Sequence, residues 1–283
     1  MSYSPPPAPN LLYHYTNVAG LHGIVNSKSL WATQIQYMND AKEYGHAVEL
    51  AMQEADKLKP SYQGTDDEHF IAAILKAEKT LSGARTFIFS LTEEPDLLSQ
   101  WRAYCPSGGF SVGFPFSELL SLATSQGFKL APCVYDEVEQ RRIISRVIDD
   151  ALKVFQSRKG SIELELLAID VFSKTFYGNF HHAAVALKHP SFFEEREWRL
   201  IGGPFPYNRN GSRWRPKESM LIPYLEFTLA QATNPVPISE VYVGPSPNQS
   251  LLYDSAQFFL LNQGLQAPIN IKASAVPYRT RPL

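Results

Sequence analysis

Apolar and polar positions along this chain switch between a two-residue and a 3.6-residue period, the marks of strands and of helices. Leu11 to Tyr15 predicts a short strand that ends in a polar His14-Tyr15-Thr16 cluster. Asn17 stands where it can cap a helix whose apolar residues are Val18, Leu21, Ile24 and Val25. Leu30 to Thr33 predicts a second strand. Asn39-Asp40 then opens a long helix to about Lys59, with Tyr44, Val48, Met52 and Ala55 on one face. Asp40 and Glu43 have capping-box spacing. A polar turn leads to a third helix carrying Phe70, Ile74 and Leu81. Thr86 to Leu91 predicts a buried strand, Asp96 to Tyr104 a short helix, and Phe110 to Phe114 another strand. A helix near Ser117 to Ser125 and a strand near Lys129 to Tyr135 follow.

The middle of the chain is helical. Val138, Ile144, Val147, Ala151 and Phe155 mark one amphipathic helix. Ile162, Leu166, Ile169, Phe176 and Phe180 mark another, capped by Ser161. Strands return at Trp198 to Ile201, Met220 to Phe227 and Glu240 to Val243. The stretch between the first two, Gly202 to Glu218, reads as a long loop. A helix from Asn248 to Gly264 and a strand from Ile269 to Ile271 close the pattern. No internal repeat or linker interrupts it. The expected architecture is a single α+β domain over residues 11–283, preceded by a disordered Pro-rich leader at 1–10. The helices at about 136–188 form an insertion, either a layer or a lid.

Composition narrows the classes. With 44% hydrophobic and 12% aromatic residues, the chain can bury a sizeable core. A net charge of −2 argues against broad attraction to nucleic acid, although Arg209, Arg213 and Arg215 could line a local basic groove. The two cysteines, Cys105 and Cys133, fit a reduced intracellular protein. No apolar run approaches the roughly 20 residues that span a bilayer. A cytoplasmic protein without a membrane partner is expected.

The familiar chemical motifs are missing. Gly108, Gly109 and Gly113 lack dinucleotide-fingerprint spacing, and there is no P-loop or nucleophile elbow. His181-His182 has no second ligand at helical spacing and reads as a polar helix face, so no metal is expected. Cys105 reads as a buried structural cysteine. What remains is His14 at a strand end, and Glu195 and Glu197 just before the strand Trp198 to Ile201. In an extended segment, i and i+2 side chains share a face. The bland alternative is a solvated turn bridged by Arg196 or Arg199.

Family resemblance enters at these residues. Leu12 to Thr16, the apolar helix through Ile24, and Ser29-Leu30-Trp31 resemble the first motif of the ADP-ribosyltransferases. Phe87-Ile88-Phe89-Ser90-Leu91 before a helix resembles the second, and Glu195-Arg196-Glu197 the third. The chain from about 11 to 275 also resembles a bacterial family of uncharacterised proteins, the domain of unknown function 2971. That match runs through Tyr13-His14-Tyr15-Thr16, Leu30-Trp31, Tyr37 to Asp40 with Glu43, and Ser90 with Ser99 to Tyr104. It continues through Gly109 to Phe114, Glu195-x-Glu197-Trp198-Arg199 and Val243-Gly244-Pro245.

The first resemblance implies a split mixed β-sheet core with inserted helices and NAD, as substrate, in the cleft. It implies that Glu197 holds the ribose 2′-hydroxyl against an oxocarbenium-like charge, while Glu195 orients or deprotonates the acceptor. His14 would contact the adenosine ribose, with Thr16 or Ser90 assisting. Tyr15, Trp101 or Tyr104 would stack on nicotinamide. Arg102 or Arg199 would meet the pyrophosphate. Asn39, Asp40 and Glu43 are explained as a helix cap, and the resemblance to the uncharacterised family places the same pattern at its cleft. The expected activity is transfer of ADP-ribose to an unknown protein or nucleic acid, in the setting of a toxin or an anti-phage effector. A NAD glycohydrolase on the same residues and a non-catalytic binding module stay open.

Overall fold

The computed structural model describes residues 7–38, 41–82, 85–205, 211–217, 219–230, 236–263, 265 and 269–277. The chain starts with β1 (Leu11–Thr16), α1 (Val18–Ser27) and β2 (Ser29–Gln34). Asn17 ends the strand and starts the helix, because its side chain accepts the Gly20 N–H at 2.9 Å. Three helices follow, α2 (Ala41–Tyr62), α3 (Glu68–Leu75) and α4 (Glu78–Ser82). The expected third helix is therefore two. Phe70, Ile74 and Leu81 all face the core, and their spacing reports burial without reporting the break between them.

Next come β3 (Phe87–Thr92), α5 (Leu98–Tyr104), β4 (Phe110–Pro115), α6 (Phe116–Gln126) and β5 (Lys129–Pro132). The long α7 (Glu137–Ser157), α8 (Leu164–Val171) and α9 (Tyr177–Ala184) form the middle. The chain closes with β6 (Glu197–Gly202), β7 (Arg213–Lys217), β8 (Met220–Thr228), β9 (Glu240–Val243), α10 (Gln249–Asn262) and β10 (Asn270–Ala273). Strand β7 lies inside the stretch expected to be loop. Of the expected leader, residues 1–6 lie outside the described residues, and the Asn10 carbonyl accepts the Phe116 N–H at 3.0 Å.

One π turn, Phe172–Phe176, joins α8 to α9. It moves the buried stripe from Leu167, Ala168 and Val171 to Phe176, Phe180 and Ala184. Val171 to Phe176 is a five-residue step, the reach of a π turn. An uninterrupted helical period assigns Ile162, Leu166 and Ile169 to the buried face. All three are exposed. His181, expected on a polar face, is fully buried and hydrogen-bonded to Tyr44. Val138, expected on the apolar face of α7, is exposed as well.

The fold is α+β, with a mixed sheet covered on both faces. α2 to α4 and α7 to α9 share one core, which includes Ile88 of β3 and Ile201 of β6. The inserted helices are thus part of a layer. The opposite face buries Phe87, Phe89, Leu91, Trp198 and Leu200 with residues of α1, α6 and α10. Side-chain alternation along β3 and β6 builds both cores.

The main path of the sheet is β10-β9-β4-β1-β3-β2-β8-β7. β6 pairs with one edge of β3 from Phe87 to Thr92, and β5 pairs with β6. The other edge of β3 forks. β1 meets it at Tyr13↔Thr92, whereas β2 meets it at Ile88↔Thr33 and Phe87↔Gln34. Among the described residues, 89–91 have no strand registered on that edge. The split between β1 and β2 opens the cleft, and α1, which connects them, lines it.

Candidate functional site

The fork leaves sheet-edge backbone groups to be satisfied. Where the next ladder partner would stand, the His14 ring takes over: Nδ1 lies 3.0 Å from the Ser90 carbonyl oxygen. A carbonyl can only accept, so Nδ1 carries the hydrogen. Burial lowers the His14 pKa to about 4 against the opposing effect of that hydrogen bond. The ring is neutral at pH 7 and keeps Nε2 as an acceptor. Its face packs on Phe89 at 4.2 Å between centroids.

Two cavities share His14, Ser90 and Tyr104. The first is small, about 40 Å³, and is also lined by Tyr13, Tyr15, Thr92, Gln100, Glu195 and Glu197. The second, about 430 Å³, fills the fork between β1 and β2. Its walls include Thr16, Gly20, Gly23 and Ile24 on one side and Ser29, Trp31, Thr33, Phe89 and Arg215 on the other. The larger cavity lies in the range of small-molecule sites. The smaller holds roughly one or two waters.

His14 and the two glutamates therefore line one pocket, although residues 14 and 195 are far apart in the chain. The glutamates reach it by a different route from an extended segment. Glu195 ends a 3₁₀ turn, Pro190–Glu195, and Arg196 is left-handed at φ 41°. That conformation costs a side-chain-bearing residue about 1 kcal/mol or more. It is held by the Arg196 ion pair to Glu94 at 3.2 Å and by the Glu93 N–H on the Arg196 carbonyl at 3.3 Å. The kink turns both carboxylates onto one lysine. Lys188 Nζ meets Glu195 Oε2 at 2.7 Å and also pairs with Glu197 Oε2.

Glu197 is fully enclosed by charge. Arg199 Nε donates to Glu197 Oε1 at 2.7 Å and Nη2 to Oε2 at 3.3 Å. Arg199 Nη2 also reaches Glu43 of α2 at 3.3 Å, and Nη1 donates to the Val185 carbonyl at 2.6 Å. Burial would raise the Glu197 pKa, but the Arg199 and Lys188 charges outweigh it and hold the carboxyl at about 2. Desolvation likewise opposes the Lys188 charge, and Glu197 overrides it, so the lysine titrates above its ordinary value. Glu197 is 4% exposed, whereas the Glu195 side chain is 15% exposed.

Residues 100–200 match the family described as Protein of unknown function (DUF2971). The matched span runs from α5 to β6 and holds Glu195, Glu197, Lys188 and Arg199. It stops short of the β1 and β2 walls of the cleft. No curated protein and no solved structure matches the chain.

The remaining candidate residues divide sharply. Tyr104 is 48% exposed and borders both cavities. Thr16 and Ser90 line the larger one. Thr16 lies against Gly20, where an added Cβ would stand 1.8 Å from its Oγ1, so only glycine fits there. Tyr15 is buried, with its hydroxyl donating to the Glu94 carbonyl at 2.9 Å and accepting the Leu97 N–H at 2.7 Å. Trp101 is fully buried against Tyr15 and hydrogen-bonded to Asp96. A Cβ on Gly244 would stand 2.7 Å from the Trp101 ring, so the indole is packed on all sides and offers no face to a ligand. Arg102 points outward from α5, lining neither cavity. Arg199 and Glu43 belong to the ion network behind the small pocket. Asn39 and Asp40 lie outside the described residues.

Cys105 is buried, its thiol pushed up to about 12 by burial, and its Sγ lies 3.3 Å from the Thr16 carbonyl. Among the described residues, no group of three or more His, Cys, Asp or Glu could hold a metal. No described helix is long and apolar enough to cross a membrane. Two functional candidates escaped the sequence, Lys188 and the placement of Arg215. Lys188 follows an apolar run, Ala183 to Leu187, and a lone charge in such a position was its one visible signal. Arg215 sat in a segment read as loop.

Proposed function

We propose that this chain is an NAD-dependent ADP-ribosyltransferase, with the reacting end of NAD at the mouth of the small pocket shared by His14, Glu195 and Glu197. The observation that carries the reading is their convergence on one pocket. Charge supports it. Glu43, Glu195 and Glu197 against Lys188 and Arg199 leave three negative and two positive described charges at this end of the cleft. The other cavity holds the Arg215 guanidinium. A cleft negative at one end and positive at the other suits a ligand with a cationic ring and an anionic pyrophosphate.

In this reading Glu195 contacts the ribose, in place of Glu197. Both Glu197 oxygens already accept from Arg199 or Lys188. Glu197 instead sets the position of Lys188, and through it of Glu195. As the bond from ribose to nicotinamide breaks, nicotinamide leaves with the bonding pair and positive charge grows on the sugar. The Glu195 carboxylate stabilises that charge. The acceptor then bonds to the ribose carbon and loses its proton to Glu195 or to water. The neutral His14 accepts a ribose hydroxyl at Nε2. Tyr104 is the aromatic side chain at the mouth that is exposed enough to stack.

The test is nicotinamide release from NAD by the full chain, with a cell lysate as the source of acceptor. Glu195→Gln is expected to lower the rate at least about 100-fold, with a cooperative unfolding transition retained. Label on macromolecule identifies transfer; label free in solution identifies the glycohydrolase. No release above the Glu195→Gln background sinks the reading. A binding module is then favoured by a specific observation, the clamping of Glu197 between two cations.

A further inference from the structure

Arg215 is an anomaly in its own strand. Two residues earlier, Arg213 pairs with Glu226 at 2.9 Å, and Glu226 is the sole carboxylate of β8, the strand against which β7 lies. Arg215 is half-buried, and among the described residues no carboxylate pairs with it. Its hydrogen bond runs from Nη2 to Thr33 Oγ1 at 2.9 Å, and its Cζ stands 5.9 Å from the Trp31 ring centre. Burial lowers its pKa, and the nearby Tyr224 phenol opposes the shift without outweighing it. Of the described residues lining the 430 Å³ cavity, Arg215 bears the one formal charge. A partly desolvated guanidinium without a counter-anion costs free energy, and chains normally avoid it by pairing. Here a guanidinium with no carboxylate partner among the described residues borders a cavity.

The rest of the cavity says what the partner looks like. Trp31, Phe89, Tyr104 and the His14 ring supply flat apolar walls. Hydroxyls of Thr16 and Ser90 add donors that suit an acceptor with several oxygens. Gly23 leaves room on the helix side, since nothing stands within 4 Å of a Cβ added there. We propose that the cavity between β1 and β2 binds a phosphate-bearing ligand with a flat ring, a nucleotide, and that Arg215 supplies the counter-charge for its phosphate. Arg215 determines specificity and takes no part in bond breaking. The inference uses the same cleft as the NAD reading and names the residue that recognises the anion. It does not require any bond to be cleaved.

Calorimetric titration of the full chain with AMP and with adenosine tests it, because neither probe can be turned over. AMP is expected to bind at least about tenfold tighter than adenosine, the value of a charge-assisted hydrogen bond. Arg215→Gln is expected to abolish that difference while leaving adenosine unchanged. Arg215→Lys, which keeps the charge and loses the fork, is expected to fall between wild type and Arg215→Gln. Equal affinity for AMP and adenosine, no AMP binding, or an Arg215→Gln chain that still prefers AMP overturns the proposal. Should Arg215→Gln fail to fold, Arg215→Lys and the salt dependence of AMP binding decide it, since a phosphate contact weakens with salt and adenosine binding does not. If AMP binds through Arg215 and NAD is left intact, the nucleotide site stands and the transferase reading alone falls.

Discussion

Arg199 and Arg215 are both arginines on strands of one sheet at the border of one cleft, and their surroundings differ in every respect. Arg199 is fully buried, and its donors go to Glu197, Glu43 and the Val185 carbonyl. Arg215 is half-buried and has one hydroxyl. The pocket beside the first holds about 40 Å³; the cavity beside the second holds about 430 Å³. The contrast teaches where this chain has closed its electrostatics and where it has left them open. Charges answered within the chain hold the two halves together, because Glu43 belongs to the helical layer and Arg199 to the sheet. A charge left unanswered next to a cavity is available to something else.

The largest effect is expected from breaking the closed end. Arg199→Met leaves Glu197 buried beside one cation and removes the link to Glu43. Losing one member of a buried pair costs about 3–5 kcal/mol. Urea unfolding followed by circular dichroism should show it as a lower midpoint. Adding Glu197→Leu to Arg199→Met should recover part of the loss, since a buried pair can be replaced by apolar groups at little cost. A single variant as stable as wild type would mean that the network carries no structural weight.

Acid probes the same network without a mutation. An unfolded glutamate titrates near about 4.3, whereas Glu197 does so at about 2 in the folded chain. Its contribution is complete above the unfolded value and disappears as pH falls through the folded one. Roughly 3 kcal/mol is at stake. His14 acts in a higher window. Its folded value of about 4 lies below the roughly 6.5 of an unfolded histidine, so protons favour the unfolded chain as pH drops from 6.5 to 4. His14→Gln should flatten that upper part of the stability curve and leave the lower part in place. Identical curves for the two proteins between those pH values would contradict a neutral, half-buried His14.

The same contrast explains what could be read from residues alone. β1, β3 and β6 were legible because they are buried on both faces and spell apolar runs. The His14 and Glu195/Glu197 clusters stood out because they interrupt such runs. β7 was hidden because an edge strand needs no apolar face. Arg213, Trp214, Arg215, Pro216 and Lys217 carry the charges and the proline that protect edges, and they read as loop. The π turn was hidden because one extra residue shifts a helical stripe without changing composition. The Glu43–Arg199 pair joins residues 156 positions apart, and no local pattern announces it. Arg215 thus escaped for the same reason that makes it useful, its place on a polar edge.

The smallest effect, and the sharpest for the comparison, is expected at the open end. Arg215→Met removes a half-buried charge whose sole hydrogen bond among the described residues goes to Thr33. Methionine is close in length to the apolar stem it replaces, and among the described residues no carboxylate is left behind unpaired. Lifting the desolvation of an unanswered guanidinium offsets the lost hydrogen bond, which is worth about 1 kcal/mol. The unfolding midpoint should therefore move by less than about 1 kcal/mol in either direction, against about 3–5 kcal/mol for the same exchange at Arg199. With AMP present, the gap between the two variants should narrow. Ligand binding to the folded chain raises its stability, so AMP should stabilise the wild type and the Arg199 variant more than the Arg215 variant. A large loss on Arg215→Met in the absence of ligand would show that the fold itself depends on this charge, and the division between closed and open ends of the cleft would disappear.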